Sequence, residues 1–173
     1  MALDADLKAA QTAWQKRDAV GLVTALEQAL EHARAEAPLE VRAVVVINHD
    51  HTGLGAYRPS LGDVVEGRRA RLYVEVANHA HARSSQSAGG LWRVQLEVSG
   101  EFAYQADGEL IKLPTVALGT QAYETRTPAG VTSFGVELRL GDKSPAGVYR
   151  LTLKVTDAIG NKAASRAAKL VLV

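Results

Sequence analysis

The chain changes its hydrophobic period once. Over residues 3–36 the apolar positions recur at helical spacing: Leu3, Leu7, Ala10 and Trp14, then Leu22, Leu26, Ala29, Leu30 and Ala33. The segment is rich in Ala, Leu, Glu, Gln and Lys, all good helix formers. Between the two runs lies QKRDAVG, where Asp18 is placed to cap a second helix and Gly21 weakens helix locally. The pattern predicts two helices, about 3–16 and 19–36, forming a hairpin; one long bent helix is the alternative. Pro38 ends the second helix, because it lacks the N–H and disfavours helix in the residue before it.

Beyond Pro38 the period becomes two. VRAVVVIN (41–48) is a short, β-branched and nearly continuous apolar run, as a well-buried strand should be. Over 70–78, Leu72, Val74 and Val76 alternate with Arg71, Tyr73, Glu75 and Ala77. Over 91–100, Trp92, Val94, Leu96 and Val98 alternate with Arg93, Gln95 and Glu97. Residues 102–113 carry Asp107-Gly108 between two strand-like arms, a strong hairpin signal. Residues 131–140, 147–157 and 162–173 complete the set, and 115–130 reads as a long connection. No helical stretch interrupts the strands, so parallel βαβ units are not expected. Half-polar antiparallel strands in this number predict a mainly β fold, a two-sheet sandwich over 39–173, preceded by the helical hairpin over 1–38.

Three stretches resemble known families. AWQKRDAVGLVTALEQALEHA resembles one helical pair of a tetratricopeptide-like repeat; a lone pair makes no solenoid and must bury its face on the following domain or on a second copy. SPAGVYRLTLKVTDAIGNKA (144–163) resembles the final hairpin of bacterial immunoglobulin-like and fibronectin-type-III-like domains. A Pro-x-Gly-x-Tyr turn enters a strand there, and Thr-Asp-x-x-Gly-Asn leaves it. This resemblance implies an immunoglobulin-like sandwich, with Tyr149 as a corner tyrosine bonded back to the backbone and Trp92 in the core. It carries little about function. GLGAYRPSLGDVVEGRRARLYVEVAN (53–78) looks like a segment of uncharacterised bacterial proteins and implies no site residues.

Composition narrows the chemistry. Of 173 residues, 20 are basic and 19 acidic, so a net charge of +1 offers no general attraction to nucleic acid. EGRRARL (66–72) is the densest basic cluster and reads as a solvated edge. There are no cysteines, hence no disulfides, thiol nucleophiles or thiolate metal sites. No run approaches the ~20 apolar residues of a membrane helix, and MALDADLKAA lacks the features of a signal peptide. A periplasmic or extracellular setting is expected if a leader has been removed, and a cytoplasmic one otherwise. No serine-hydrolase elbow, phosphate-binding loop, dinucleotide fingerprint or zinc-protease helix occurs. The carboxylates are dispersed. Asp107, Asp142 and Asp157 sit in glycine-containing turns, where they stabilise the turn or, alternatively, bind calcium. Tyr73, Tyr104 and Tyr123 could line a sugar-stacking face or pack across strands.

Four of the five histidines form two His-x-His pairs, His49 with His51 in NHDHTG and His79 with His81 in NHAHAR. Residues i and i+2 share one face of a strand, so each pair could present two nitrogen ligands to zinc or copper. The pairs follow strands 41–48 and 70–78. If those strands are antiparallel, the pairs point to opposite ends, about 25 Å apart at ~3.3 Å per residue. Topology then argues against one four-histidine site and favours each pair alone or across a dimer. The small residues that follow NHAHAR suggest a mobile, solvated loop.

These observations point to a non-catalytic interaction or structural module of the bacterial envelope or secreted space, with no cofactor. A protein partner or self-association is expected, through the helices, an edge strand or the loops at 79–90 and 115–130. Nucleic acid and small molecules are not expected as partners. A metal-binding protein and a carbohydrate-binding accessory module are the alternatives.

Overall fold

The computed structural model describes residues 2–49, 51–65, 67–84, 90–106 and 109–173. The chain divides into two compact units between Pro38 and Leu39.

The first unit is a pair of helices, α1 (Ala2–Gln15) and α2 (Ala19–Glu36). Arg17 takes a left-handed conformation, φ 58°, to turn the chain. Asp18 then caps α2 by accepting the Gly21 N–H at 2.9 Å. A Cβ at Gly21 would stand 2.3 Å from the Asp18 carboxylate, so a larger residue there would have to displace the capping side chain. The buried residues are all alanine: Ala10 and Ala13 on α1, Ala25 and Ala29 on α2. Asp6 hydrogen-bonds His32 across the pair and sets its register.

The second unit is mainly β. Its strands are β1 (Glu40–Ile47), β2 (Val64–Val65), β3 (Arg69–Ala77), β4 (Ala82–Arg83), β5 (Trp92–Ala106), β6 (Glu109–Lys112), β7 (Val116–Thr125), β8 (Val131–Arg139), β9 (Gly147–Asp157) and β10 (Lys162–Leu172). They form two open sheets. One has three strands in the order β1-β3-β8; the other runs β2-β10-β9-β5-β4, with β6 and β7 also paired to β5. All pairings are antiparallel except β2 with β10. The inward residues of both sheets meet in one core. Val44, Leu72, Val74 and Val136 come from the first, and Leu96, Leu151, Leu153, Val155 and Leu170 from the second. Each such side chain, taken out of water, contributes roughly 1.5–3 kcal/mol.

The structure corrects several expectations. Residues 116–125 are strand β7, not a loop; only 126–130 connect it to β8. The strand carries one extra residue at Leu118, where its register against β5 shifts beside the left-handed Gly119 (φ 104°), and this breaks the alternation. Trp92 opens β5 half-buried and is not a core residue. Tyr73, expected to face outward from β3, is fully buried. The expected Asp107-Gly108 turn lies outside the described residues, although β5 and β6 do pair from Ala103–Lys112 to Ala106–Glu109.

Candidate functional site

The β1–β3 ladder pairs Glu40 with Ala77 and Ile47 with Arg71, so the exits of the two strands point in opposite directions. His49 and His51 therefore lie at one end, and His79 and His81 at the other. Among the described residues, no group of three or more His, Asp or Glu is arranged to hold a metal ion.

After β1 the chain folds back over the outer face of the three-stranded sheet. Asn48 N–H donates to Arg58 O, Ser60 N–H donates to Val46 O, and Ile47 bridges Pro59. This strap covers Tyr73. Tyr57 stacks on the Tyr73 ring at 4.2 Å, and His51 meets it edge-on at 5.6 Å. The Tyr73 hydroxyl accepts the Gly55 N–H at 2.7 Å and donates to Glu75 Oε2 at 3.0 Å. Burial pushes the Tyr73 pKa above the ordinary tyrosine value. The Gly-x-Tyr-x-Pro sequence is thus a lid on one buried tyrosine. His51 also lies over Gly135, where a Cβ would approach its ring to 3.4 Å, and lines a cavity of about 340 Å³ with Arg71 and Glu137. His49 is exposed.

At the other end, Asn78 takes a left-handed conformation, φ 61°, and donates its N–H to Gly130 O. His79 is buried, at 3% exposure, and so is not the solvated residue expected from its neighbours. Its ring lies 4.8 Å from that of His81. His81 Nε2 accepts the Ala129 N–H at 3.1 Å. That bond needs the Nε2 lone pair, so it goes with the Nδ1–H tautomer of the neutral ring and occupies Nε2 in this conformation. His81 is edge-on to Trp92 at 6.4 Å, and the Arg83 guanidinium sits 4.0 Å above the Trp92 ring.

Asp157 holds this end together. It is completely buried. Its Oδ1 accepts N–H groups of Ile159 and Gly160, both at 3.0 Å, and its Oδ2 accepts the Ala80 N–H at 2.6 Å. Backbone donors converge where a cation would need oxygens, so this aspartate anchors the histidine loop to the β9–β10 turn. The Thr-Asp-x-x-Gly-Asn pattern marks the turn, but nothing in it signals the bond to Ala80, 77 residues away.

The tyrosines form no common platform. Tyr104 packs on Tyr149 at 4.9 Å and donates to Ala146 O, and the Tyr149 hydroxyl donates to Pro145 O at 2.7 Å. Tyr123 pairs with Val94, ten residues along β5 from Tyr104, or roughly 33 Å. Burial raises the pKa of both Tyr123 and Tyr149.

The helical unit presents an apolar surface. With alanines at its centre, several large side chains lie to one side: Leu7 (49% exposed) and Trp14 (71%) on α1, and Val23 (55%), Leu26 (48%) and Leu30 (48%) on α2; Val20 (78%), at the start of α2, is exposed as well. Helical periodicity places both rows on the same side of the pair. The leucine spacing was visible in the sequence; that alanines would take the interior was not.

No family model matches the chain, and no curated protein matches it. Solved structures with partial likeness include a family 123 glycoside hydrolase from Clostridium perfringens, at 12% identity and TM-score 0.37 over 61% of this chain and 21% of that one. The sporulation control protein Spo0M of Bacillus subtilis is similar at 12% identity and TM-score 0.40, over 79% and 49%. The alkylpurine DNA glycosylase AlkC of Pseudomonas fluorescens is similar at 14% identity and TM-score 0.44, over 90% and 40%. The chain spans less than half the length of each. At these TM-scores the likeness fixes neither activity nor ligand.

Proposed function

We propose that the protein is a non-catalytic interaction module, an immunoglobulin-like sandwich bearing a helical hairpin that engages protein through its apolar side. The observation that carries this reading is the exposure of Trp14, Val23, Leu26 and Leu30 on one side of a hairpin whose fully buried residues are all alanine. Contiguous apolar surface of a few hundred Å² is where soluble proteins bind other proteins. The polar groups that might have served chemistry are engaged in structure instead: Asp157 by three backbone N–H groups, His81 by one, and Tyr73 by Gly55 and Glu75. The bond from Tyr149 to Pro145 supports the corner-tyrosine assignment and with it the immunoglobulin-like reading. A photo-crosslinking residue at Leu30 should yield a covalent protein adduct in cells producing the chain. The same group at Thr24, on the opposite side of α2, should yield none. Absence of an adduct at Leu30 refutes the proposal.

A further inference from the structure

We infer that His81 is an acid-sensitive latch: its neutral ring ties together two chain crossovers at one end of the β unit, and protonation releases them. The inference is independent of the hairpin reading and concerns residues 39–173 alone. Both crossovers pass between the sheets here. Residues 78–81 lead from β3 of the three-stranded sheet to β4 of the larger one, and residues 126–130 lead from β7 of the larger sheet to β8 of the smaller. Two bonds join them, in opposite directions. Asn78 N–H donates to Gly130 O at 3.0 Å, and Ala129 N–H donates to His81 Nε2 at 3.1 Å. The first runs from main chain to main chain and is indifferent to pH. The second exists only while Nε2 keeps its lone pair. A protonated ring carries N–H on both nitrogens and sets donor against donor. Histidine is the side chain that makes this change in mild acid.

The surroundings disfavour a charge held in place. The His79 ring lies 4.8 Å from that of His81, and His79 is buried at 3% exposure. His81 meets Trp92 edge-on, and the Arg83 guanidinium already sits 4.0 Å above that indole. A proton on His81 therefore adds a second cation at one aromatic ring. Arg93 on β5, Arg126 in the connection and Lys162 at the start of β10 are the other cations on the neighbouring elements. Two carboxylates lie on those elements, and both are committed to other bonds. Glu124 of β7 accepts the Ser84 hydroxyl, and Asp157 at the end of β9 receives three backbone N–H groups. His81 is only half-buried, so its ring reaches water without any strand unfolding. The bond from Ala80 N–H to Asp157 does not involve an imidazole. It keeps the β9–β10 turn attached, and opening is confined to the side of residues 126–130.

The test uses the full chain, with a chelator present, between about pH 8 and pH 5, where ordinary carboxylates stay largely ionised. Nitrogen-15 NMR of the imidazoles shows which ring nitrogen carries the proton. Amide exchange, corrected for its intrinsic pH dependence, reads the latch. At pH 8 the His81 Nε2 should be bare and the Ala129 amide protected. By pH 5 the protection of Ala129 should fall about tenfold, the loss of one hydrogen bond. Its midpoint should coincide with that of His81, while the Ala80 amide stays protected. His81→Gln offers an oxygen acceptor that does not titrate, and should abolish the pH dependence at Ala129. Protection at Ala129 that is constant from pH 8 to pH 5 overturns the latch. So does a fall that follows His79 instead of His81, a proton on His81 Nε2 at pH 8, or the same fall in His81→Gln. Should glutamine leave Ala129 unprotected at both pH values, the midpoints in the parent chain decide.

Discussion

Asp157→Ala removes a carboxylate that no solvent reaches and that receives three backbone N–H groups. A hydrogen bond to a charged group contributes about 1.5–3 kcal/mol net, and an unmade buried one costs similarly. The three do not add, because the β9–β10 turn can relax and admit water once the side chain is gone. The expected loss is therefore about 3 kcal/mol, or a fall of roughly 6–12 °C in Tm for a chain of this size. Asp157→Asn keeps Oδ1 for Ile159 and Gly160 but sets an amide NH₂ against the Ala80 N–H, donor facing donor. It should cost less, about 2 kcal/mol. Urea unfolding in a Trp14→Phe background reads this well, since Trp92 then reports on residues 39–173 alone. Hydrogen exchange supplies the local measure: the Ala80, Ile159 and Gly160 amides should lose protection in Asp157→Ala. A chelator should leave the parent unchanged, whereas a calcium ligand at this position would make the parent sensitive to it. A loss under 0.5 kcal/mol with the three amides still protected would refute the anchoring role.

Tyr73→Phe deletes the acceptor of the Gly55 N–H and should cost about 1–2 kcal/mol, with faster exchange at Gly55 and little change along β9; unchanged exchange at Gly55 would count against the strap. Stability should also fall in alkali. Burial holds the pKa of Tyr73, Tyr123 and Tyr149 above the ~10 of an unfolded tyrosine, so above that pH the unfolded chain has released protons that the fold retains. The stabilisation is complete below about pH 10 and is lost as pH rises through the folded values, and Tyr73→Phe should flatten the decline. A pH-independent stability between 9 and 11.5 would contradict the burial of these rings. Titration with zinc should show no micromolar binding that depends on His81, because its Nε2 already accepts a backbone N–H; stoichiometric micromolar binding abolished by His81→Ala would show that this bond yields to metal.

The strands were legible where one face is buried and the other is not. Leu72, Val74 and Val76, and Val94, Leu96 and Val98, alternate because the sheets meet through one face. Strand β7 was not legible, because none of its residues is fully buried and a one-residue bulge interrupts its period. Tyr73 misled in the opposite sense. A tyrosine at an outward strand position looks solvated until a strap from the preceding loop covers it, and that cover is set by backbone bonds from Gly55 and Ser60 that no periodicity announces. The histidine loop failed for the same reason. Its small residues suggest mobility, yet Asn78, Ala80 and His81 are each bonded to residues between 48 and 77 positions away.

The hairpin shows what an amphipathic pattern does and does not decide. Spacing of leucines identifies one apolar stripe per helix, and the natural inference is that the stripes face each other. In this pair they do not, because alanines flank the stripes and let the two backbones approach closely, with Ala10 and Ala13 against Ala25 and Ala29. Two helices joined through alanine bury little: at ~25 cal/mol per Å², four methyl groups stabilise far less than four leucines would. Such a pair is marginal alone and gains most when a further body covers the leucines and Trp14. The surface that looks like a binding site is therefore also the surface the helices need covered for their own stability. Leu26→Ala and Leu30→Ala should consequently change the helicity of the free chain little; a large loss by circular dichroism would show that those leucines support the hairpin from within.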